Sequence, residues 1–259
     1  MKSTLSCDSL SVAVSPNATS DEDSKVEFIP PKPPLKWAGG KRWLIPHLLP
    51  IWEQYRERKY VEPFCGGLAA AIGLNPTVAQ LNDVNPHLIN FYRQVQNGLK
   101  MTIEMRNGEK LFYQHRDRFN ELLRKNQHES SEAAQLFYYL NRTCFNGLCR
   151  FNQSGEFNVP FGTYKTVNYR SDFYDLQPIL QRWQFSNVDL SVLKFGPHDF
   201  IYADPPYDVE FRSYSAGGFS WADQKRTVHL LASHPGPVVL SNQATPRIIE
   251  LYEQNGFQL

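Results

Sequence analysis

Phe200-Ile201-Tyr202-Ala203-Asp204-Pro205-Pro206-Tyr207 is the stretch from which the rest of the chain can be read. Four apolar residues make a run of the length a buried strand needs, and a carboxylate follows at its end. Two consecutive prolines fix φ and remove two backbone donors, so the chain leaves the strand stiffly, with its carbonyls free to accept hydrogen bonds. An aromatic ring closes the segment. Asp, Pro and Tyr all occur in ordinary turns, so the segment reads either as a plain strand exit or as polar groups presented at the top of a sheet. Its neighbours decide between the two.

Working outward, strand-like runs alternate with helical ones. Tyr60-Val61-Glu62 leads into Pro63-Phe64-Cys65-Gly66-Gly67 and the small-residue run Leu68 to Ile72, and Val78 to Asn82 leads into Asp83. Val238-Val239-Leu240-Ser241-Asn242 precedes a helix over Pro246 to Asn255. Apolar spacing predicts helices over Trp43 to Tyr55, with Leu44, Ile45, Leu48, Leu49 and Trp52 apolar and Pro46 in the first turn, over Pro86 to Val95 and over Trp221 to Ser233. Such alternation implies an α/β fold with a Rossmann-like, open, mostly parallel sheet whose ligands gather at the carboxyl ends of the strands. Leu176 to Trp183 and Phe185 to Leu190 belong to the same α/β pattern.

The interval 88–170 breaks the alternation. It is helical first (Leu111 to Leu123, Ser131 to Arg142), then rich in Gly, Asn and aromatics, and reads as an inserted, mainly helical domain between 29–87 and 171–259. Its rings suit either a core or base stacking. Residues 1–28, with Asp21-Glu22-Asp23 and no periodicity, read as a disordered extension, and Ser213 to Phe219 as a polar loop.

Composition sets outer bounds. The chain has 259 residues, 41% of them hydrophobic, and Lys+Arg 27 against Asp+Glu 26 gives a formal charge of +1, so nucleic acid would be bound by one basic face and not by the whole surface. No apolar run reaches the ~20 residues of a membrane span and no signal-peptide pattern opens the chain, so a soluble, cytoplasmic, monomeric protein is expected. Cys7, Cys65, Cys144 and Cys149 form no disulfide framework or zinc pattern and read as free thiols, with no metal expected.

Glu62 to Gly67 is neither the Gly-x-Gly-x-x-Gly of a dinucleotide site nor a phosphate-cradling loop. A glycine turn after one strand and a carboxylate, Asp83, ending the next still describe a nucleoside crevice, in which Asp83 would reach ribose hydroxyls; the alternative is a turn-forming surface Asp. A ligand with a sugar and a cationic centre but no phosphates fits the missing phosphate loop. S-adenosylmethionine has that chemistry.

The chain from Lys36 onward resembles the DNA adenine methyltransferase family in its alpha-type motif order. The resemblance is carried by Leu35-Lys36-Trp37-Ala38-Gly39-Gly40-Lys41, Glu62 to Gly67, Asn82-Asp83-Val84-Asn85, Asn141 to Arg150, Gly155 to Gly162 and Asp204-Pro205-Pro206-Tyr207. It implies that Trp37, Lys41, Glu62, Phe64, Cys65, Gly66, Gly67 and Asp83 line the S-adenosylmethionine pocket, with Asp189 near the cofactor adenine. It implies transfer of a methyl group to N6 of adenine in double-stranded DNA, with GATC as the site, and a catalytic tetrapeptide from Asp204 to Tyr207. An exocyclic amine is a poor nucleophile; acceptance of its hydrogens by Asp204 and the Pro205 carbonyl would localise its lone pair, and Tyr207 would stack on a base swung out of the duplex.

In the same resemblance Lys36, Phe145, Asn146, Leu148, Arg150, Asn152 and Pro160 belong to the DNA-reading parts, making 88–170 a target-recognition domain. Arg150 is suited to bidentate contact with guanine, or alternatively to a phosphate or ion pair; Phe145 is suited to wedging into the base stack. Arg142 and Lys165 read as phosphate contacts. The family pattern continues past Leu259 into an antiparallel strand pair, so the last strand is expected to lack a partner. Competing expectations are methylation of cytosine N4 or of RNA adenine, and a catalytically inactive DNA-binding relative.

Overall fold

A computed structural model of the chain describes residues 30–208 and 219–259. The expected disordered extension, Cys7 and nearly all of the loop expected at Ser213 to Phe219 lie outside the described residues. Five short strands, β1 (Tyr60–Glu62), β2 (Ala79–Asn82), β3 (Trp183–Ser186), β4 (Phe200–Ala203) and β5 (Val238–Leu240), form one sheet in the order β3-β2-β1-β4-β5, every neighbouring pair parallel. Tyr60 lies opposite both Ala79 and Phe200, and Ala203 opposite Leu240, so the carboxyl ends form one rim.

The helices are α1 (Ile45–Glu53), α2 (Ala69–Leu74), α3 (Pro86–Gln96), α4 (Glu109–Arg124), α5 (Ser131–Thr143), α6 (Gln177–Leu180), α7 (Trp221–Ala232) and α8 (Pro246–Gln254). Alternation along the strands divides them between two faces. Tyr60, Ala79, Leu81, Phe200 and Tyr202 join the apolar residues of α1, α2 and α3, with the Trp52 ring edge-on to Tyr60 and Phe200 at 5.5 and 5.2 Å. Val61, Ile201 and Ala203 pack instead on Leu231 of α7, and α8 closes that side through Ile248, Leu251 and Tyr252 against Val228. Strands covered on both faces are apolar throughout, which is why β4 reads as an unbroken run.

The first helix differs from its expected span. Arg42–Leu44 is a 3-10 turn, α1 begins at Ile45, and Trp43 is 66% exposed. Pro46 has no N–H to donate to the Arg42 carbonyl, so the turn is closed one residue earlier by Ile45. The run read from Phe185 to Leu190 is β3 at Trp183–Ser186 followed by an extended link and the 3-10 turn Leu190–Val192.

Between β2 and β3 the chain runs through α3, α4 and α5 and then through a hairpin-like segment held by antiparallel bridges Cys144↔Phe161 and Phe151↔Phe157. Its rings are mostly core: Phe112, Phe119, Phe137, Tyr138, Tyr139, Phe157 and Phe173 are buried, and Phe91 stacks on Tyr138 at 5.5 Å. Asn120 of α4 ties the hairpin down, its amide donating to the Phe157 carbonyl at 3.1 Å and its carbonyl accepting the Phe157 N–H at 2.8 Å. Replacing Asn120 with Leu leaves both backbone groups buried without partners, so urea unfolding should show a loss of about 2–4 kcal/mol. A change below about 0.5 kcal/mol, the scale of ordinary surface substitutions, would show that the hairpin does not depend on this bond.

Candidate active site

Asp204 follows β4 at the carboxyl rim, where both of its oxygens are engaged. Oδ2 accepts from the Lys41 ammonium at 2.7 Å and Oδ1 from the Ser241 hydroxyl at 2.8 Å, while Ser241 shares a further hydrogen bond of 2.9 Å with the Tyr202 hydroxyl. Burial raises the Asp204 pKa, and the bonds from Lys41 and Ser241 only partly oppose it. Lys41 is 5% exposed; it also donates to the Gly39 carbonyl at 2.9 Å and lies 4.7 Å over the Tyr207 ring. Burial alone would lower its pKa, but Asp204 and Tyr207 outweigh it and hold the ammonium charged. The structure thus places Lys41, which the family resemblance assigns to the cofactor pocket, on the tetrapeptide's carboxylate.

The turn after the strand is held from the other side. Gln224 of α7, with no exposed surface, donates to the Pro206 carbonyl at 2.7 Å, and its own carbonyl accepts from Asn242 at 3.1 Å. Asn242 donates also to the Tyr252 hydroxyl at 3.1 Å. The Pro205 carbonyl accepts no hydrogen bond among the described residues, and Tyr207 is 37% exposed.

Beside Asp204, the carboxyl ends of β1 and β2 bring Glu62 and Asp83 together. Glu62 is 3% exposed and accepts from the Tyr60 hydroxyl at 3.0 Å; burial, with the charges of Asp204 and Asp83, holds its carboxyl well above the usual range. Burial pushes Asp83 up to about 6 against the pull of its two backbone bonds. Those bonds make it a stitch as well as a candidate ligand: Oδ2 accepts the Gly66 N–H at 3.0 Å and Oδ1 the Asn85 N–H at 2.9 Å. Among the described residues neither carboxyl has a lysine or arginine partner.

The glycine turn has the Trp37 ring packed directly on it. A Cβ on Gly66, whose φ is +43°, would meet Trp37 Nε1 at 2.6 Å, and one on Gly67 would meet Trp37 Cβ at 2.7 Å. The Trp37 indole therefore lies against the turn, and the glycines make room for it. Cys65 is 2% exposed and packs in the core, its N–H on the Asn82 carbonyl; Phe64 sits edge-on to Phe219 at 5.9 Å. The Asp189 carboxylate is exposed, takes hydrogen bonds from Ser191 and pairs with Arg226 of α7 at 2.9 Å.

Lys36 lies between this crevice and the hairpin. Its backbone N–H donates to Asn141 at 2.8 Å and its carbonyl accepts from Asn141 at 2.7 Å, while its ammonium donates to the Arg142 carbonyl at 3.0 Å and lies 3.6 Å over the Tyr164 ring. Gly147, at φ +63°, leaves no room for a Cβ, which would fall 2.5 Å from Lys36 Cβ. Phe145 is 49% exposed, Asn146 takes a left-handed φ of 53°, and Leu148 packs partly against the core. Arg150 is exposed and bonded to Asn158 at 2.8 Å; Pro160 is exposed and its carbonyl accepts from Phe145. Arg142 donates to the Asn168 carbonyl and Lys165 is exposed. Asn152 is committed to its own turn, its carbonyl accepting from Ser154 and Glu156 at 3.0 and 2.9 Å.

Ser241, Gln224 and Asn242 were not singled out from the sequence, yet they touch or brace the tetrapeptide. A signal existed: Gln224 shares the buried stripe of α7 with Thr227, Val228 and Leu231, where a polar side chain needs a partner. Among the described residues no group of three or more His, Cys, Asp and Glu side chains is placed to hold a metal ion, and no helix is long and apolar enough to cross a membrane.

Comparison with known proteins fits this geometry. The model of the D12 class N6 adenine-specific DNA methyltransferases matches residues 37–259. A DNA N-6-adenine-methyltransferase of Escherichia phage P1 is 33% identical over 245 residues, which cover 87% of this chain and 31% of the phage protein, so the chain spans about a third of that relative's length. A type II methyltransferase of Lactococcus lactis subsp. cremoris is 35% identical across 86% of this chain and 84% of its own, and a DNA adenine methylase of Serratia marcescens 33% identical across 85% and 86%. With a parallel sheet, a carboxylate-Pro-Pro-Tyr rim and a family match over nearly the whole described length, the chain belongs to the D12 class N6 adenine-specific DNA methyltransferases.

Proposed function

We propose that the chain methylates N6 of adenine in double-stranded DNA, within GATC, using S-adenosylmethionine as donor and acting on a base swung out of the duplex. The observation that carries this reading is the Asp204 carboxylate, fixed at the rim beside a crevice holding two further carboxyls that have no cationic partner among the described residues. That crevice suits a ligand with hydroxyl donors and positive charge. When bound, S-adenosylmethionine supplies an electrophilic methyl group on a sulfonium. Glu62, Asp83 and the Trp37-backed turn at Gly66 and Gly67 are the residues that would hold it.

The target amine meets Asp204 and the Pro205 carbonyl. Both accept hydrogen from N6, which draws its lone pair out of conjugation and aims it at the neighbouring crevice. Tyr207, partly exposed, covers one face of the base. Burial keeps the Asp204 pKa raised, which suits it to take the proton that the amine releases on methylation. Residues 88–170 serve as the target-recognition part. Phe145 enters the vacated stack, Arg150 and Lys36 read base edges, Asn146, Leu148, Asn152 and Pro160 shape the hairpin-like reader around them, and Arg142 and Lys165 hold phosphates.

Incubation with labelled S-adenosylmethionine and GATC, shuffled, premethylated and RNA duplexes tests the reading. Label should appear on adenine N6 of the unmethylated GATC duplex alone; label on cytosine, or on RNA, would replace the substrate assigned here. Asp204→Ala should lower single-turnover transfer by at least about 100-fold while cofactor affinity changes little, because the carboxylate addresses the target amine. Arg150→Ala should cost about 1–3 kcal/mol of discrimination at a guanine position, read on single-mismatch duplexes, with a smaller effect on the preferred site.

Asp83 adds a pH dependence. Its folded pKa of about 6 lies above the ordinary carboxylate value, so the folded chain keeps a proton that the unfolded chain has released. That contribution to stability is complete below about pH 4, the unfolded value, and is lost as pH rises through about 6. A cationic ligand has the opposite preference, for the ionised form. Calorimetric affinity for S-adenosylmethionine should therefore rise as pH goes from 5 to 7, and Asp83→Asn should bind weakly with a flattened profile. A wild-type affinity independent of pH over that range would remove Asp83 from the site.

A further inference from the structure

We propose that Ser241, and Gln224 braced by Asn242, are positioning residues that hold the two acceptors for the target amine in register. The inference rests on the reading above and extends it to residues that do not touch the substrate. Two separate hydrogen-bond chains converge on the tetrapeptide. One runs from Tyr202 through Ser241 to Asp204 Oδ1, and the other from Tyr252 through Asn242 and Gln224 to the Pro206 carbonyl. Both pass through adjacent residues at the carboxyl end of β5, Ser241 and Asn242, so one strand end sets the carboxylate and the proline turn together.

The chemistry explains why both are needed. A carboxylate on a single χ1 and χ2 pair can rotate, and a rotation of the acceptor plane misdirects the lone pair it is meant to localise. Ser241 and Lys41 hold one oxygen each, which fixes that plane and leaves the remaining lone pairs for the amine. Pro205 and Pro206 have no N–H to donate, and among the described residues the turn is tied to α7 through the carbonyl of Pro206. With that carbonyl on Gln224, the preceding carbonyl of Pro205 stays unpaired among the described residues and available to the substrate. Gln224 is fully buried and its amide is oriented by an acceptor on one side and a donor on the other, so it cannot be turned without losing both.

The test uses single-turnover transfer to a GATC duplex, with dissociation constants for S-adenosylmethionine and duplex measured on the same preparations. Ser241→Ala should slow transfer about 10- to 100-fold, the loss expected for one hydrogen bond to a charged group, with both dissociation constants within about twofold, and Ser241→Thr should restore most of the rate. Gln224→Glu places an oxygen against the Pro206 carbonyl unless it is protonated. This variant should be slow at pH 8 and recover toward pH 6, with a profile displaced from that of the wild type. Should Gln224→Glu fail to give a wild-type-like melting transition, the two Ser241 variants decide alone. Ser241→Ala transferring at the wild-type rate, or Gln224→Glu following the wild-type pH profile, overturns the inference and leaves the function reading standing. A wild-type chain that binds duplex and cofactor but transfers no methyl group overturns both.

Discussion

The site depends on β1 being paired in parallel on both of its edges. With β2 on one side and β4 on the other in fixed register, Glu62, Asp83 and Asp204 emerge from adjacent strands at one rim, and β5 adds Ser241 beside them. Because both faces of the sheet are covered, these carboxyls leave a dry interior, and desolvation is the first cause of the raised pKa of each. Placing three acids so close is unfavourable in the free protein. Among the described residues Asp204 alone of the three has a cation, Lys41, and the other two are relieved by a hydroxyl and by backbone N–H groups. The rim is therefore organised around charge that arrives with its ligands, in keeping with electrostatic groups set before the reaction begins.

The crevice and the hairpin-like segment are tied through shared neighbours, so neither is independent of the other. Asp83 caps the turn at Asn85; Asn85 accepts from His87 and Leu88 to start α3 and donates to the Cys149 thiol at 3.3 Å. The His87 ring, half-buried and with its pKa pushed down to about 4 by desolvation and His128, stacks on Phe151 at 4.7 Å. On the opposite flank Asn141 grips both backbone groups of Lys36, next to the Trp37 that lies on the glycine turn. The carboxyl rim and the hairpin-like segment are thus joined by two short bridges, each made of packed rings or paired amides.

Much of this was legible in the sequence because strand-end motifs carry their own punctuation. An apolar run followed by Asp-Pro-Pro, or by Pro-Phe-Cys-Gly-Gly, marks both the element and the rim where it stops. What the sequence conceals is which polar group answers which. Lys41 reads as part of the cofactor block through its neighbours Trp37 and Gly39, and only the fold shows its ammonium on Asp204, 163 positions away. Gln224 falls on the stripe of α7 with Val228 and Leu231, but nothing in the sequence names the Pro206 carbonyl as its partner. Asn152 illustrates the reverse case: its place in an Asn-x-Ser-Gly turn is local chemistry, and the turn absorbs the side chain that the motif offered to DNA.

The insertion of the helical segment between β2 and β3 also has a kinetic side. Asn82 and Ser186, bonded across neighbouring strands, are 104 positions apart, and the Lys59 carbonyl receives the N–H of Phe200. Pairing of this kind closes long loops before any local reward is collected, which slows a folding chain. Helices α3, α4 and α5, by contrast, are consecutive and pack on one another through Phe91, Phe119, Phe137 and Tyr138. During synthesis that cluster can consolidate while the strands for its far side are still being made. The collapse of these helices shortens the loop that the sheet must close, so the order of elements along the chain lets the helical cluster form first and the carboxyl rim assemble around it.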